Sequence, residues 1–300
     1  MIRISGHTDE FLEKYKGRIN SKISKKLKKY NEKYWKLQES LLKDLDTILT
    51  GNINDIIEVY NRIQEEFPAY VVELGKKEVS VEQKNFNNYI EEIFNYNAII
   101  AKDKDFSYSI TSDLEVTVCP YCNRQRIDTV EKITRAQLDH FFCKSKYPIL
   151  ALSLYNLIPC CAICNNLKKE KDFNISNYLY PFKCGINDEK YFFTKLSQDK
   201  KYMLDIVYSR SNNMKKMKNN SSVFGIEKIY KEKHNEDIQK IYDVKEIYTK
   251  TYQKEISELL KNNISEEDLR KVLGFSKDDK LESTELGKLK KDIIDEIIDY

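Results

Sequence analysis

A chain of 300 residues with 41% apolar and 33% charged side chains is a soluble globular sequence, long enough to bury a sizeable core as one large domain or two modest ones. Its 51 Lys/Arg and 48 Asp/Glu leave a formal charge of +3, a near balance that does not by itself mark a nucleic-acid binder. Residues 1–10 are polar and lack a signal-peptide core, and the longest weakly charged stretch, 147–164, is broken by Pro148, Asn156 and Pro159, which excludes a membrane span. The chain therefore reads as cytoplasmic, where thiols stay reduced and paired cysteines favour metal over disulfide.

Three regions follow one another. Residues 1–112 form a helical region. Phe11, Tyr15, Ile19, Ile23, Leu27, Tyr30, Tyr34, Leu37, Leu41, Leu45 and Ile48 recur at steps of three and four, predicting one long amphipathic helix that starts at Thr8 and Asp9 and stops at Gly51. A second helix is predicted over 53–67, ended by Pro68, and a third over 81–100. Such a stripe reads first as core, with a partner-binding face as the alternative. Residues 113–185 change character: they hold all seven cysteines and four of the five prolines. Between Cys119 and Cys184 ten Lys/Arg face five Asp/Glu, so this window carries +5 and the rest about −2, a local positive charge of the kind that meets phosphates. Residues 186–300 predict a hairpin from 190–196 and 201–208. A polar loop or linker follows over 209–222, and helices return from 223. Ile226, Ile229, Tyr230, Ile238, Ile241, Ile247, Ile256, Leu259 and Leu260 lie on a helical face, and a short charged helix covers 285–298. The fold class is mainly α with a small embedded α+β module.

The strongest local signal is Cys119-Pro-Tyr-Cys122 followed 38 residues later by Cys161-Ala-Ile-Cys164. Two such knuckles present four thiolates in tetrahedral array for a structural zinc, closing a loop whose folding energy the metal supplies. A redox dithiol needs one such pair beside a βαβ pattern, which is missing. Cys160 stands next to Cys161 as an alternative ligand, but the two-residue spacing favours Cys161.

Inside the loop lie Asp139-His140, Asn156 and, beside the last cysteine, Asn165. Hydrolysing a phosphodiester takes a base for water and a cation for the charge growing on phosphate. An Asp-His pair on a strand points to opposite faces, and a bend at the strand's end lets one bind metal while the other reaches water. One carboxylate and one amide oxygen suffice for magnesium, which keeps several waters. Asn165, at the start of a short helix, is held rigidly enough to be the second donor. Arg124, Arg126, Lys144, Lys146, Lys168, Lys169 and Lys171 are candidate phosphate contacts, with an ordinary solvated surface as the alternative. Tyr121 is as suited to packing as to stacking on a base, and His7 and His234 receive no role.

The order CxxC, DH, N, CxxCN resembles the zinc-anchored HNH endonucleases. The run Leu138-Asp-His-Phe-Phe-Cys-Lys-Ser-Lys-Tyr-Pro to Asn165 is similar to the PtuB-like nucleases of Septu antiphage systems and certain retrons, over about 50 residues. The resemblance implies a ββα-metal finger, with one strand near Thr117 or Ile127, a second ending at His140 and a helix starting near Cys164, flanked by helical regions. It implies His140 as general base, Asp139 and Asn165 as ligands of one catalytic Mg²⁺ or Mn²⁺, and Asn156 as the brace of the loop carrying the base. Asn165 stands where the eponymous third His would sit, an exchange the CxxCN branch carries. The implied activity is cleavage of DNA in antiphage defence, with an ABC-type ATPase as partner. The motif reads phosphates and not sugars, so RNA stands beside DNA as a substrate. A catalytically silent zinc-stapled adaptor is the rival reading.

Overall fold

The computed structural model describes residues 1–68 and 80–298; residues 69–79 and 299–300 of the outer regions, and the side chain of Leu260, lie outside the described residues. The chain is mainly helical, with three short antiparallel strand pairs among the described residues. It divides into two compact units that cut across the three sequence regions: residues 5–115 with 129–174, and residues 1–4 with 116–128 and 175–300.

The first of these units opens on α1, Asp9–Leu27. The Thr8 hydroxyl accepts from Phe11 N–H, and Asp9 and Glu10 oppose the helix dipole. Phe11, Tyr15, Ile19, Ile23 and Leu27, four residues apart, are all buried, each worth about 1.5–3 kcal/mol of transfer free energy. The expected single long helix breaks there into α1, α2 (Trp35–Lys43) and α3 (Leu45–Thr50). Residues 28–30 bury nothing, and the Gln38 amide donates to Lys29 C=O at 2.7 Å and accepts from Asn31 N–H at 3.2 Å. A buried side chain therefore satisfies the interruption, which a heptad count does not see. Helix α4, Ile53–Glu66, is capped by Asn52, and α5, Val81–Ile93, by the reciprocal Ser80–Gln83 box. The third predicted helix ends at Ile93, and a π-helical turn, Asn97–Ala101, precedes α6, Lys104–Asp113. Tyr96 sits in that break.

Two strand pairs belong to the same unit. The small ribbon β1 (Thr129–Val130) and β2 (Ile133–Thr134) leads into β3, Gln137–His140, which pairs with β4, Leu157–Cys160, in the register Asp139↔Ile158 and His140↔Leu157. Helix α7, Ala162–Lys168, follows β4 directly and packs on β3. The strand expected near Thr117 or Ile127 is instead a tight loop with one Val118–Arg126 bridge, because the Cys119–Cys122 turn with Asn123 at φ 51° reverses the chain too soon for a ladder.

In the other unit the predicted hairpin forms as β5 (Phe192–Leu196) and β6 (Tyr202–Ile206). The expected loop over 209–222 is helix α8, Asn212–Phe224, capped by Ser211 and stopped by Gly225 at φ 63°. Met214, Met217 and Phe224 supply its buried stripe, but Asn220 and Ser221 interrupt the apolar pattern. Asn220 is buried because its side-chain oxygen accepts from Leu179 N–H at 2.9 Å. Helices α9 (Ile226–Lys233), α10 (Asn235–Ile247), α11 (Lys250–Leu260), α12 (Glu266–Leu273) and α13 (Gly287–Ile298) complete it. Helix α13 packs on β5, where the Asp292 carboxylate accepts from Tyr191 and Phe192 N–H and from Lys288, all buried.

Candidate metal centre and active site

Both cysteine pairs sit on turns that aim their sulfurs. In the first, Asn123 N–H donates to Cys119 C=O at 2.7 Å. The Asn123 amide then donates to Leu281 C=O and accepts from Lys288 N–H. In the second, Cys161 is the N-cap of α7, its Sγ accepting from Cys164 N–H at 3.4 Å. The Sγ atoms of Cys119, Cys122, Cys161 and Cys164 lie within 4.8 Å of one another and all four residues are buried. Zinc–sulfur bonds of 2.3 Å make a tetrahedron with an edge of about 3.8 Å, so the set fits a zinc ion. No cysteine is in a disulfide. Cys160 is buried outside the cluster, since consecutive residues of an extended chain point to opposite sides. Tyr121 packs, stacked on Phe224 with centroids 4.8 Å apart.

Asp139, His140 and Asn165 line one cleft of about 270 Å³, together with Tyr96, Lys144 and Lys169. His140, at the end of β3, is half-buried, and its Nε2 lies 3.0 Å from Ala151 C=O. A carbonyl only accepts, so Nε2 carries the proton and Nδ1 the lone pair. The ring stands edge-on to Tyr96 at 4.6 Å. Burial, helped by the Lys144 and Lys168 charges and opposed by the Ala151 hydrogen bond, lowers the His140 pKa to about 4, leaving the imidazole neutral at physiological pH. The Tyr96 hydroxyl is pushed up to about 12, by burial first and by the charge of Asp139 next.

Asn156 is wholly buried and makes three bonds across the loop after β3. Its oxygen accepts from Phe142 N–H at 2.7 Å, and its nitrogen donates to Phe142 C=O at 3.1 Å and Leu150 C=O at 3.0 Å. Leu150 adjoins Ala151, so the amide anchors the turn whose next carbonyl meets His140. Asn156→Ala leaves three buried polar groups without this partner and is expected to cost about 3 kcal/mol, read from urea unfolding. A loss below about 1 kcal/mol would remove the brace.

Asn165, one residue past the last cysteine, is half-buried, and its Nδ2 donates to Gln137 at 2.7 Å. That bond sets the amide so that the oxygen, the atom a hard cation takes, is the one turned away from Gln137. The carboxylate of Asp139 is buried and accepts from Lys168 Nζ at 3.1 Å.

The expected phosphate contacts divide. Lys144 and Lys169 are exposed and line the cleft. Lys168 is not at the surface: it is fully buried, because position 168 on α7 faces inward toward β3. Lys146 is bound to Asp172 at 2.7 Å, Arg126 forks onto Asp128, and Arg124 donates to His234 Nε2 at 2.7 Å. These three cations have partners within the chain, Arg126 in a solvent-exposed pair. His234, given no role from sequence, thereby becomes a buried link between Arg124 and Asp237. Tyr96 was not foreseen either, since it lies 44 residues before His140 with no motif around it. Lys168, expected as a phosphate contact, pairs instead with Asp139, a contact that its spacing does not mark.

Among the described residues no helix is long and apolar enough to cross a membrane. The chain matches no family model, no curated protein and no solved structure.

Proposed function

We propose that the protein is a metal-dependent endonuclease of the HNH class that hydrolyses nucleic-acid phosphodiesters, with DNA as its principal substrate. The observation that carries this reading is the shared cleft of Asp139, His140 and Asn165, with the His140 lone pair on Nδ1. The order β3, β4, α7 is that of a ββα finger and supports the same reading.

In this mechanism the neutral His140 ring takes a proton from water at Nδ1, and the Nε2–H bond to Ala151 stabilises the imidazolium that results. The hydroxide attacks phosphorus in line, and the 3′ oxygen leaves, giving a 5′-phosphate. Asp139 and Asn165 would hold one Mg²⁺ or Mn²⁺, which when bound neutralises charge on the phosphate and the leaving oxygen. Lys144 and Lys169 position the strand by its phosphates. The antiphage role and the ABC-type ATPase partner rest on the likeness of the 138–165 run alone.

Plasmid nicking by the zinc-loaded protein is expected with Mg²⁺ and not without it. Zinc content is to be assayed in both arms, because a chelator that strips zinc would abolish activity for the wrong reason. Nicking that is independent of Mg²⁺ at constant zinc would exclude this mechanism. Binding without nicking, in the presence of the ATPase partner, would favour the adaptor.

A further inference from the structure

Lys168 is a buried cation beside the cleft that the cleavage mechanism does not use. Its side chain is 0% exposed, whereas its neighbour Lys169 is open to solvent, so a surface charge run does not account for it. The ammonium lies 3.1 Å from Asp139 Oδ1, 2.6 Å from His140 C=O and 5.0 Å from the centre of the Phe173 ring. Asp139 is 4% exposed. An ammonium withdrawn from water is tolerated when paired and hydrogen-bonded, and here a carboxylate, a carbonyl and an aromatic face all serve it.

We infer that Lys168 is a fixed counter-charge to Asp139 that holds down the affinity of the cleft for a divalent cation until nucleic acid is present. The inference rests on the reading of Asp139 as a cation ligand. With Lys168 in place, the buried carboxylate already has a cationic partner 3.1 Å away. A divalent cation on the same carboxylate sits in the field of the ammonium, where desolvation makes like-charge repulsion strong. Substrate phosphate oxygens supply the negative charge and the further oxygen ligands that the empty cleft lacks. Cation and nucleic acid then bind together, and the free protein remains idle at low Mg²⁺. Through its second bond, to His140 C=O, Lys168 also positions the strand end that carries the base.

The test is direct Mn²⁺ binding to the zinc-loaded, full-length protein without nucleic acid, followed by electron paramagnetic resonance of free Mn²⁺. Lys168→Met and Lys168→Gln are expected to bind Mn²⁺ about tenfold more tightly than wild type, while Lys168→Arg, which keeps the charge, stays within about twofold. The glutamine variant carries the test if the methionine variant fails to retain zinc, since it removes the charge while its slightly shorter side chain still offers a polar N–H group to the buried site. Unchanged or weaker Mn²⁺ binding in the charge-free variants, at wild-type zinc content, overturns the counter-charge. Tightening that persists in an Asp139→Asn background overturns instead Asp139 as the ligand.

Discussion

His140→Ala is expected to lower plasmid nicking by about 10²–10⁴-fold at saturating Mg²⁺, while zinc content and far-ultraviolet circular dichroism stay as in the wild type. The size of the loss follows from the ring's position. His140 is the one histidine of the cleft, its tautomer is set by Ala151, and its pKa of about 4 keeps it unprotonated. The fold should survive, because the ring is half-buried and its one hydrogen bond is to a backbone carbonyl at the cleft wall. Exogenous imidazole adds a discriminating arm: it fits the space the side chain leaves and is expected to restore part of the rate, which repair of a merely packed position would not do. Nicking within tenfold of wild type would strip His140 of its role as base.

The second large effect concerns the thiols. Zinc bound to four cysteines releases about 10–16 kcal/mol in small finger peptides, as much as the whole net stability of a typical domain. Cys164→Ser is therefore expected to drop bound zinc from one per chain to a small fraction and to abolish cooperative unfolding. The same knuckle opens α7, where Cys161 Sγ caps the helix by accepting from Cys164 N–H. Cys160→Ser is the matched control. That side chain is equally buried but lies outside the four-sulfur cluster, so this variant should lose some stability and keep its zinc. Equal zinc loss in both variants would mean that the cluster is misassigned.

The parts of the molecule legible in sequence were those whose geometry is local. A two-residue gap between cysteines sets a turn by itself, and the cluster has the expected members, Cys119, Cys122, Cys161 and Cys164. Asp139 and His140 are at the end of a strand, and Asn165 is on the short helix that begins within the second knuckle, two residues before the expected start. The losses were all tertiary. The long helix breaks where the Gln38 amide, seven and nine residues away from its partners, replaces backbone bonds. Helix α8 was hidden by a buried asparagine whose side-chain oxygen accepts from Leu179 N–H, 41 residues earlier. Lys146 and Lys168 look alike in a charge count, and only the fold tells that one meets Asp172 and the other Asp139. Tyr96 enters the cleft from a helix break that no periodicity marks.

The interleaved segments of the two compact units also set an order of events on the ribosome. Once residue 174 has emerged, the nascent chain holds every segment of the unit that contains Tyr96, Asp139, His140, Asn156, Asn165 and Lys168. The other unit at that moment has only residues 1–4 and 116–128 and still awaits its hairpin and the helices from α8 onward. The cleft is thus assembled from segments that precede residue 175, and its partly finished companion waits on the segments that follow.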